Sequence, residues 1–583
     1  MTTDARKHLA LIAAPGLGHV FPLLRLAHVL SARGLLVTFI VSDVSLEELQ
    51  RRKLPEACVV PDSLRLFPVS SAGKVSGTDV LTSPLTIMSL YLAMIQPVSA
   101  LIDDLCSGRA GAGAAAGGTQ AWPAIRAIVS SPFIFFGPGA ARAHPHVRWT
   151  TLIDMSVAGC IVTQRLAEAA LEEIPPAQLD DASKAPVLLQ SGVDIALSDT
   201  QDSTQTPVKS SIHIPEQDLV KVFGEKQLAI KSPTVGLATG FRKLFIDSDD
   251  ILINTTTFLD GPLLPQLQTR LAKDEYTCKT LYAIGPIDLA LMQSQCADLE
   301  STSRSINSEE EQEQRQEQQV DVFLASFPPR SVLYIAFGSV VSLPAPEMAK
   351  LVNALHSLAS SSPLPFILVS RPLHSALSAF ANGSDTAIED GLKGAMEQLR
   401  PLVQQNRGIV LSWAPQRRIL SHQSTGLFLS HGGWNSSLEA LSYDVPLLLR
   451  PLNAEQVINA RMLTEHLAVA HHVVSSDSIE SANTPQDRNN AWTFKDALQA
   501  FAALHRSTGA GEASSTIEDA SRLECIRKIQ KRAAEVGAAI RRDAGVCRGE
   551  GAEDAAGAAV TTAAAPNSSV VALEAWLANA GLA

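Results

Sequence analysis

Residues 413–456 decide how this chain is read: WAPQRRILSHQSTGLFLSHGGWNSSLEALSYDVPLLLRPLNAEQ. Residues 426–430 form a short apolar run, the mark of a buried strand. His431-Gly432-Gly433 breaks that run, and residues 436–441 have helical character. Ser436, followed three positions later by Glu439, has the spacing of a capping box and predicts a helix N-terminus there. A strand, a glycine turn and a helix start aim backbone N–H groups and the positive end of a helix dipole at one point, which suits an anion such as a diphosphate. Two glycines let the backbone approach closely, and His431, Asn435 and Ser436 add side-chain donors. Taken singly, each feature has a plainer reading: a helix cap, or Trp413 and Trp434 as core residues.

Taken together, these forty-four ungapped positions closely resemble the C-terminal signature box of the family 1 UDP-glycosyltransferases, best known from plants. The resemblance implies that Trp413 stacks on the uracil ring and that Ala414 meets the base through its backbone. It implies that Gln416 and Glu439 bond the ribose hydroxyls and that His431, Gly433, Asn435 and Ser436 hold the diphosphate. Trp434, Glu455 and Gln456 would contact the sugar. Gly432 stands where plant members have Cys, Asp444 where they have Gly, Arg450 where they often have Trp, and Glu455 where they have Asp. The last two bear on which sugar is carried.

Working outward, residues 8–14 read as a buried strand, 15–19 as a tight turn, and Pro22 as the first residue of a helix ended by Gly34. With a second strand at 35–41, this is a βαβ unit opening a doubly wound sheet, whose ligands sit at the carboxyl ends of the strands. His19 falls there, and an imidazole suits general-base work near neutrality. In the resembled family a Gly-His pair, followed three residues on by Pro, carries the catalytic base. An Asp usually orients that base; the aligned position here is Ser131, which accepts a hydrogen bond but supplies no charge. Further strands are expected at 127–136, 148–153, 250–255, 281–286, 331–339, 365–370 and 408–412, with a helix at 347–358. Ser339, in the glycine turn that ends the 331–339 segment, would donate to the diphosphate if the family pattern holds. Residues 79–105 read as an apolar helix and 108–118 as a Gly/Ala loop.

The chain has 583 residues and a formal charge of −12. That length predicts at least two domains, and the charge argues against a nucleic-acid partner. Seven scattered cysteines without metal-ligand spacing suggest a reducing compartment. No signal peptide or membrane span is expected, unlike the animal glucuronosyl relatives, so a cytoplasmic monomer is the expectation. No metal or cofactor is expected. Residues 1–293 should form an acceptor-binding Rossmann-like domain, and 294–328 a Glu/Gln-rich linker. Residues 329–566 should form a nucleotide-sugar-binding Rossmann-like domain, with a terminal helix at 567–583 returning to the first. The fold class expected is α/β, of the type called GT-B: two Rossmann-like doubly wound domains. The implied activity is inverting transfer of a sugar, glucose from UDP-glucose first, to a hydroxyl of a small apolar or amphipathic acceptor. A hydroxylated lipid is favoured over a flavonoid. The alternatives are another donor such as GDP-mannose, a nucleotide-sugar epimerase or hydrolase, and a binding protein without catalysis.

Overall fold

A computed structural model of the protein describes residues 6–51, 55–70, 84–108, 122–134, 136–172, 193–196, 211–214, 240–241, 244–271, 280–289, 308–338, 342–359, 364–382, 390–453, 455–474, 492–505, 517–544 and 569–583. The chain divides into two units, residues 1–303 with 539–583, and residues 304–538.

The first unit contains β1 (His8–Ile12), β2 (Leu36–Ser42), β3 (Leu64–Val69), β4 (Ala127–Ser130) and β5 (Arg148–Ile153). A separate antiparallel hairpin follows, β6 (Val193–Ala196) with β7 (Ser211–Ile214), and then β8 (Asp250–Ile253) and β9 (Thr280–Ala283). Seven strands pair in parallel in the order β3-β2-β1-β4-β5-β8-β9. β1, β2, β4 and β8 are buried from end to end. A parallel strand covered on both faces needs apolar residues throughout, so HLALI and LVTFIVS show no alternation. Helix Pro84–Cys106 buries Leu90, Met94, Val98 and Ile102, one every fourth residue, and the last three join a core with Ala10, Ile12, Ile128 and Trp149. By length and composition alone, Thr86–Cys106 could cross a membrane, a feature the sequence reading did not register. Helix Ser569–Asn579 packs on this unit, as expected. Trp576 is fully buried, with Nε1 donating to Thr150 Oγ1 at 3.2 Å, and Asn579 Nδ2 donates to Asp250 Oδ1 at 3.1 Å. The first unit already resumes at Ala539, within helix Ile517–Asp543, rather than at 567.

The second unit contains β10 (Val332–Ala336), β11 (Phe366–Val369), β12 (Gly408–Leu411), β13 (Thr425–Ser430), β14 (Leu447–Leu449) and β15 (Ala470–His472). They pair in parallel in the order β12-β11-β10-β13-β14-β15. Counted along the chain this is the dinucleotide-fold order 3-2-1-4-5-6. The first unit follows the same order with one strand added. Helix Ala345–Leu358 buries Met348, Leu351, Val352 and Leu355 against Leu333, Ile335, Leu427 and Leu429.

Two polar segments carry helices with buried apolar residues. Helix Ser308–Ala325 buries Val320, Phe323 and Leu324 in the second unit, and Arg418 pairs with Glu317 and Asp321 on its flank. Its polar first half hides an apolar last turn. Within the polar region at 475–517, helix Phe494–Ala503 starts from a capping box, Thr493 with Asp496, and buries Phe494, Leu498 and Phe501.

Candidate active site

The carboxyl ends of both sheets carry the residues the sequence singles out. In the first unit, β1 leads into helix Leu17–Ala32, and His19 lies in that helix's first turn rather than in the turn before it. Pro22 is therefore inside the helix, not at its start. His19 Nδ1 stands 2.6 Å from Oδ2 of Asp154, the residue directly after β5. The side chains are 30% and 6% exposed. Phe133 meets the imidazole edge-on, with ring centroids 4.5 Å apart, and Phe241 lies against Phe133 at 5.2 Å.

Ser131 does not orient His19. It directly follows β4, where its backbone N–H donates to Ile12 O at 2.9 Å and its buried Oγ makes no hydrogen bond. The carboxylate expected at the exit of β4 is supplied from the exit of the neighbouring strand. A second acid supports that segment. Asp260 is fully buried, and its Oδ2 accepts from Thr255 Oγ1 at 2.7 Å and from the Val157 N–H at 3.4 Å, at the start of helix Val157–Glu172. Burial pushes its carboxyl up to about 6.

In the second unit, β13 ends at Ser430 and the glycine turn leads into helix Trp434–Ser442. Gly433 is the N-cap, and no side chain hydrogen-bonds to cap the helix. The helix begins two residues before Ser436. Ser436 and Glu439 are thus not a capping box: both face Gln416, whose Nε2 donates to Ser436 Oγ at 3.2 Å and to Glu439 Oε2 at 2.7 Å. Gln416 Oε1 accepts from the Tyr334 hydroxyl at 3.3 Å. Trp413 is half-buried and Ala414 is buried.

His431 is packed between two glycines. A Cβ on Gly338 would lie 2.8 Å from its Nε2, and one on Gly433 2.6 Å away. Burial lowers its pKa to about 4, so the ring is neutral at working pH and can donate from one nitrogen. Asn459 Nδ2 holds the turn through Gly432 O at 3.0 Å. Asn435 and Ser436 lie in the first helical turn, partly exposed. Ser339 lies outside the described residues.

The sugar-contact expectations are altered in two places. Trp434 is 2% exposed, so its indole belongs to the core. Gln456 is turned into its own loop: Oε1 accepts from the Leu452 and Asn453 N–H groups at 2.9 and 3.1 Å, and Nε2 donates to Asn453 Oδ1 at 2.9 Å. Glu455 is the N-cap residue of helix Gln456–Arg461. Arg450 makes a two-pronged pair with Glu347 at 2.7 and 2.6 Å and also donates to Pro451 O at 2.9 Å.

The sequence reading missed Asp154, Tyr334 and Glu347. The signal for Asp154 was a carboxylate at the exit of a predicted strand; for Tyr334 it was one polar atom inside an otherwise apolar strand. Glu347, on a helix surface, gave none.

Two parallel doubly wound units, in the strand orders above, are the architecture called GT-B. Solved structures of this fold cover nearly the whole chain. An enzyme from Siraitia grosvenorii in complex with UDP matches 99% of this chain and 100% of its own at 19% identity, TM-score 0.61. Glycyrrhiza uralensis UGT73P12 matches 99% and 96% at 16% identity, TM-score 0.64. Residues 387–507 match the family described as UDP-glucoronosyl and UDP-glucosyl transferase. Among named relatives, UDP-glycosyltransferase 72E1 of Arabidopsis thaliana is 34% identical over 40% of this chain and 43% of its own length. UDP-glycosyltransferase 72E3 of the same plant is 26% identical over 80% and 83%. The chain is thus similar to UDP-glycosyltransferases, with the family match lying over residues 387–507.

Proposed function

We propose that this chain is an inverting glycosyltransferase that moves a hexose, glucose from UDP-glucose first, to a hydroxyl of a small apolar or amphipathic acceptor. The observation that carries the reading is the 2.6 Å contact between His19 Nδ1 and Asp154 Oδ2. With Nδ1 donating to the carboxylate, the lone pair lies on Nε2, which can take a proton, and the carboxylate stabilises the imidazolium that results. In this reading Nε2 takes the acceptor's hydroxyl proton as its oxygen attacks the anomeric carbon. The bond from that carbon to the diphosphate breaks, UDP leaves with the electron pair, and configuration inverts. The N–H groups of helix Trp434–Ser442 and His431 meet the charge developing on the diphosphate. The reading assigns that role to these groups rather than to a resident metal or cofactor.

Arg450 supports a neutral sugar. Its guanidinium is engaged by Glu347 and Pro451, so its charge is already balanced and is poorly suited to drawing in a uronate. The aromatic pair Phe133 and Phe241 beside His19 supports an apolar acceptor, and a hydroxylated lipid is the class we favour. A reducing, cytoplasmic setting fits the scattered cysteines.

The test is product formation from UDP-glucose, UDP-galactose, UDP-glucuronate and GDP-mannose with hydroxy fatty acids and flavonoids as acceptors. Transfer from UDP-glucose that is lost in His19→Ala is expected. Turnover of the nucleotide-sugar without acceptor, or unchanged transfer by His19→Ala, would overturn the reading.

A further inference from the structure

Tyr334 sits mid-strand on β10, which pairs in the sheet with β11 and β13, and no feature of the 413–456 stretch points to it. Its ring is 1% exposed and stacks on Phe428, its register partner on β13, with centroids 4.6 Å apart and an interplanar angle of 21°. A phenol buried this deeply needs a partner for its proton. The partner is Gln416 Oε1. Burial, with the Glu439 charge close by, pushes the phenol above its ordinary value, so it remains a donor at every working pH.

That proton breaks a symmetry. A glutamine side-chain amide has nearly the same shape after a half-turn, and only its neighbours decide which end is oxygen. Here one end meets the Tyr334 hydroxyl and the other the Glu439 carboxylate. In the observed orientation oxygen faces the donor and nitrogen faces the anion. After a half-turn two acceptors would face each other at Glu439, and the phenol would lose its acceptor.

We propose that Tyr334 is the positioning residue for the ribose end of the donor site. Its hydroxyl sets the Gln416 amide, and the amide holds Glu439 with its carboxylate turned to the ribose hydroxyls. The proposal rests on the nucleotide-sugar reading above and adds a residue to it.

The experiment titrates UDP and 2′-deoxy-UDP into the full-length chain by calorimetry. The wild type is expected to prefer UDP. In Tyr334→Phe, UDP affinity is expected to fall about three- to tenfold, the range for one lost neutral hydrogen bond, while 2′-deoxy-UDP affinity holds, so the preference shrinks. Equal loss of both ligands would mean a purely structural role and would overturn the proposal, as would an unchanged preference. Gln416→Glu keeps an acceptor for Tyr334 but sets a second carboxylate against Glu439. It is expected to shrink the preference too, and it decides the matter if Tyr334→Phe does not fold. A wild type that binds UDP without discriminating overturns this proposal alone. A wild type that binds neither ligand overturns the nucleotide-sugar reading and this proposal with it.

Discussion

Asp154 reaches His19 from the exit of β5, 135 positions along the chain, and their side chains meet at 2.6 Å. The carboxylate follows a strand two places away in the sheet from β1, whose exit leads into the helix that carries the histidine.

This pair makes the first prediction. In Asp154→Asn an amide N–H replaces the carboxylate oxygen, favouring the tautomer with the proton on Nε2, where a base must be bare. The rate constant kcat is expected to fall by about 10²–10⁴, the usual worth of a positioned base, with KM for the nucleotide-sugar little changed. Ser131→Ala is expected to retain the wild-type rate. Steady-state kinetics of the two variants side by side decides which residue orients His19.

Asp260 predicts a pH effect on stability. Its carboxyl titrates at about 6 in the folded chain, against 3.8 as its ordinary value. Its stabilising contribution is therefore complete below pH 3.8 and is lost as pH rises through about 6. At 1.36 kcal/mol per pKa unit the loss is roughly 3 kcal/mol. Asp260→Asn should lack this dependence. Thermal unfolding should show the variant gaining on the wild type between pH 4 and pH 6 and keeping its lead at pH 8. Parallel curves across that range would contradict the assignment.

The clamp on His431 predicts a selective binding defect. Gly433 has an ordinary φ of −60°, so Gly433→Ala is purely a matter of space: its Cβ would press on Nε2. Crowding of this kind costs about 1–3 kcal/mol. UDP affinity should fall about tenfold or more while uridine, which lacks the diphosphate, binds as before. Calorimetry with both ligands separates the two effects.

The Arg450–Glu347 pair predicts coupling. Both side chains are mostly buried, at 19% and 16% exposure. Arg450→Ala leaves a carboxylate without its partner and should cost about 1–3 kcal/mol. Removing Glu347 as well should restore part of that loss. A double-mutant cycle by denaturant unfolding reads the interaction directly; strictly additive losses would show that the pair contributes nothing.

Much of this was legible before any coordinates. Both sheets announce themselves as unbroken apolar runs such as HLALI and VLYIA, because parallel strands must be covered on two sides. The anion cradle is legible because strand, glycine turn and helix are contiguous from Thr425 to Ser442. Asp154 was not, since no local pattern says that two strand exits share one ring. The orientation of Gln456 was hidden for the opposite reason: its partners are its own near neighbours, and loop backbone at 452–453 leaves no periodic trace. The Glu/Gln-rich run shows its helix less plainly, because its average polarity masks Val320, Phe323 and Leu324 just after it, which anchor the helix.

Lodging the acid on β5 has an evolutionary corollary. The turn after β4, Ser131-Pro132-Phe133, is relieved of electrostatic duty while still touching the histidine through Phe133. In the function proposed above, mutations there reshape the aromatic wall beside the base without touching the carboxylate that pairs with it. That reading lets acceptor choice vary at one strand exit while the chemistry is conserved at another.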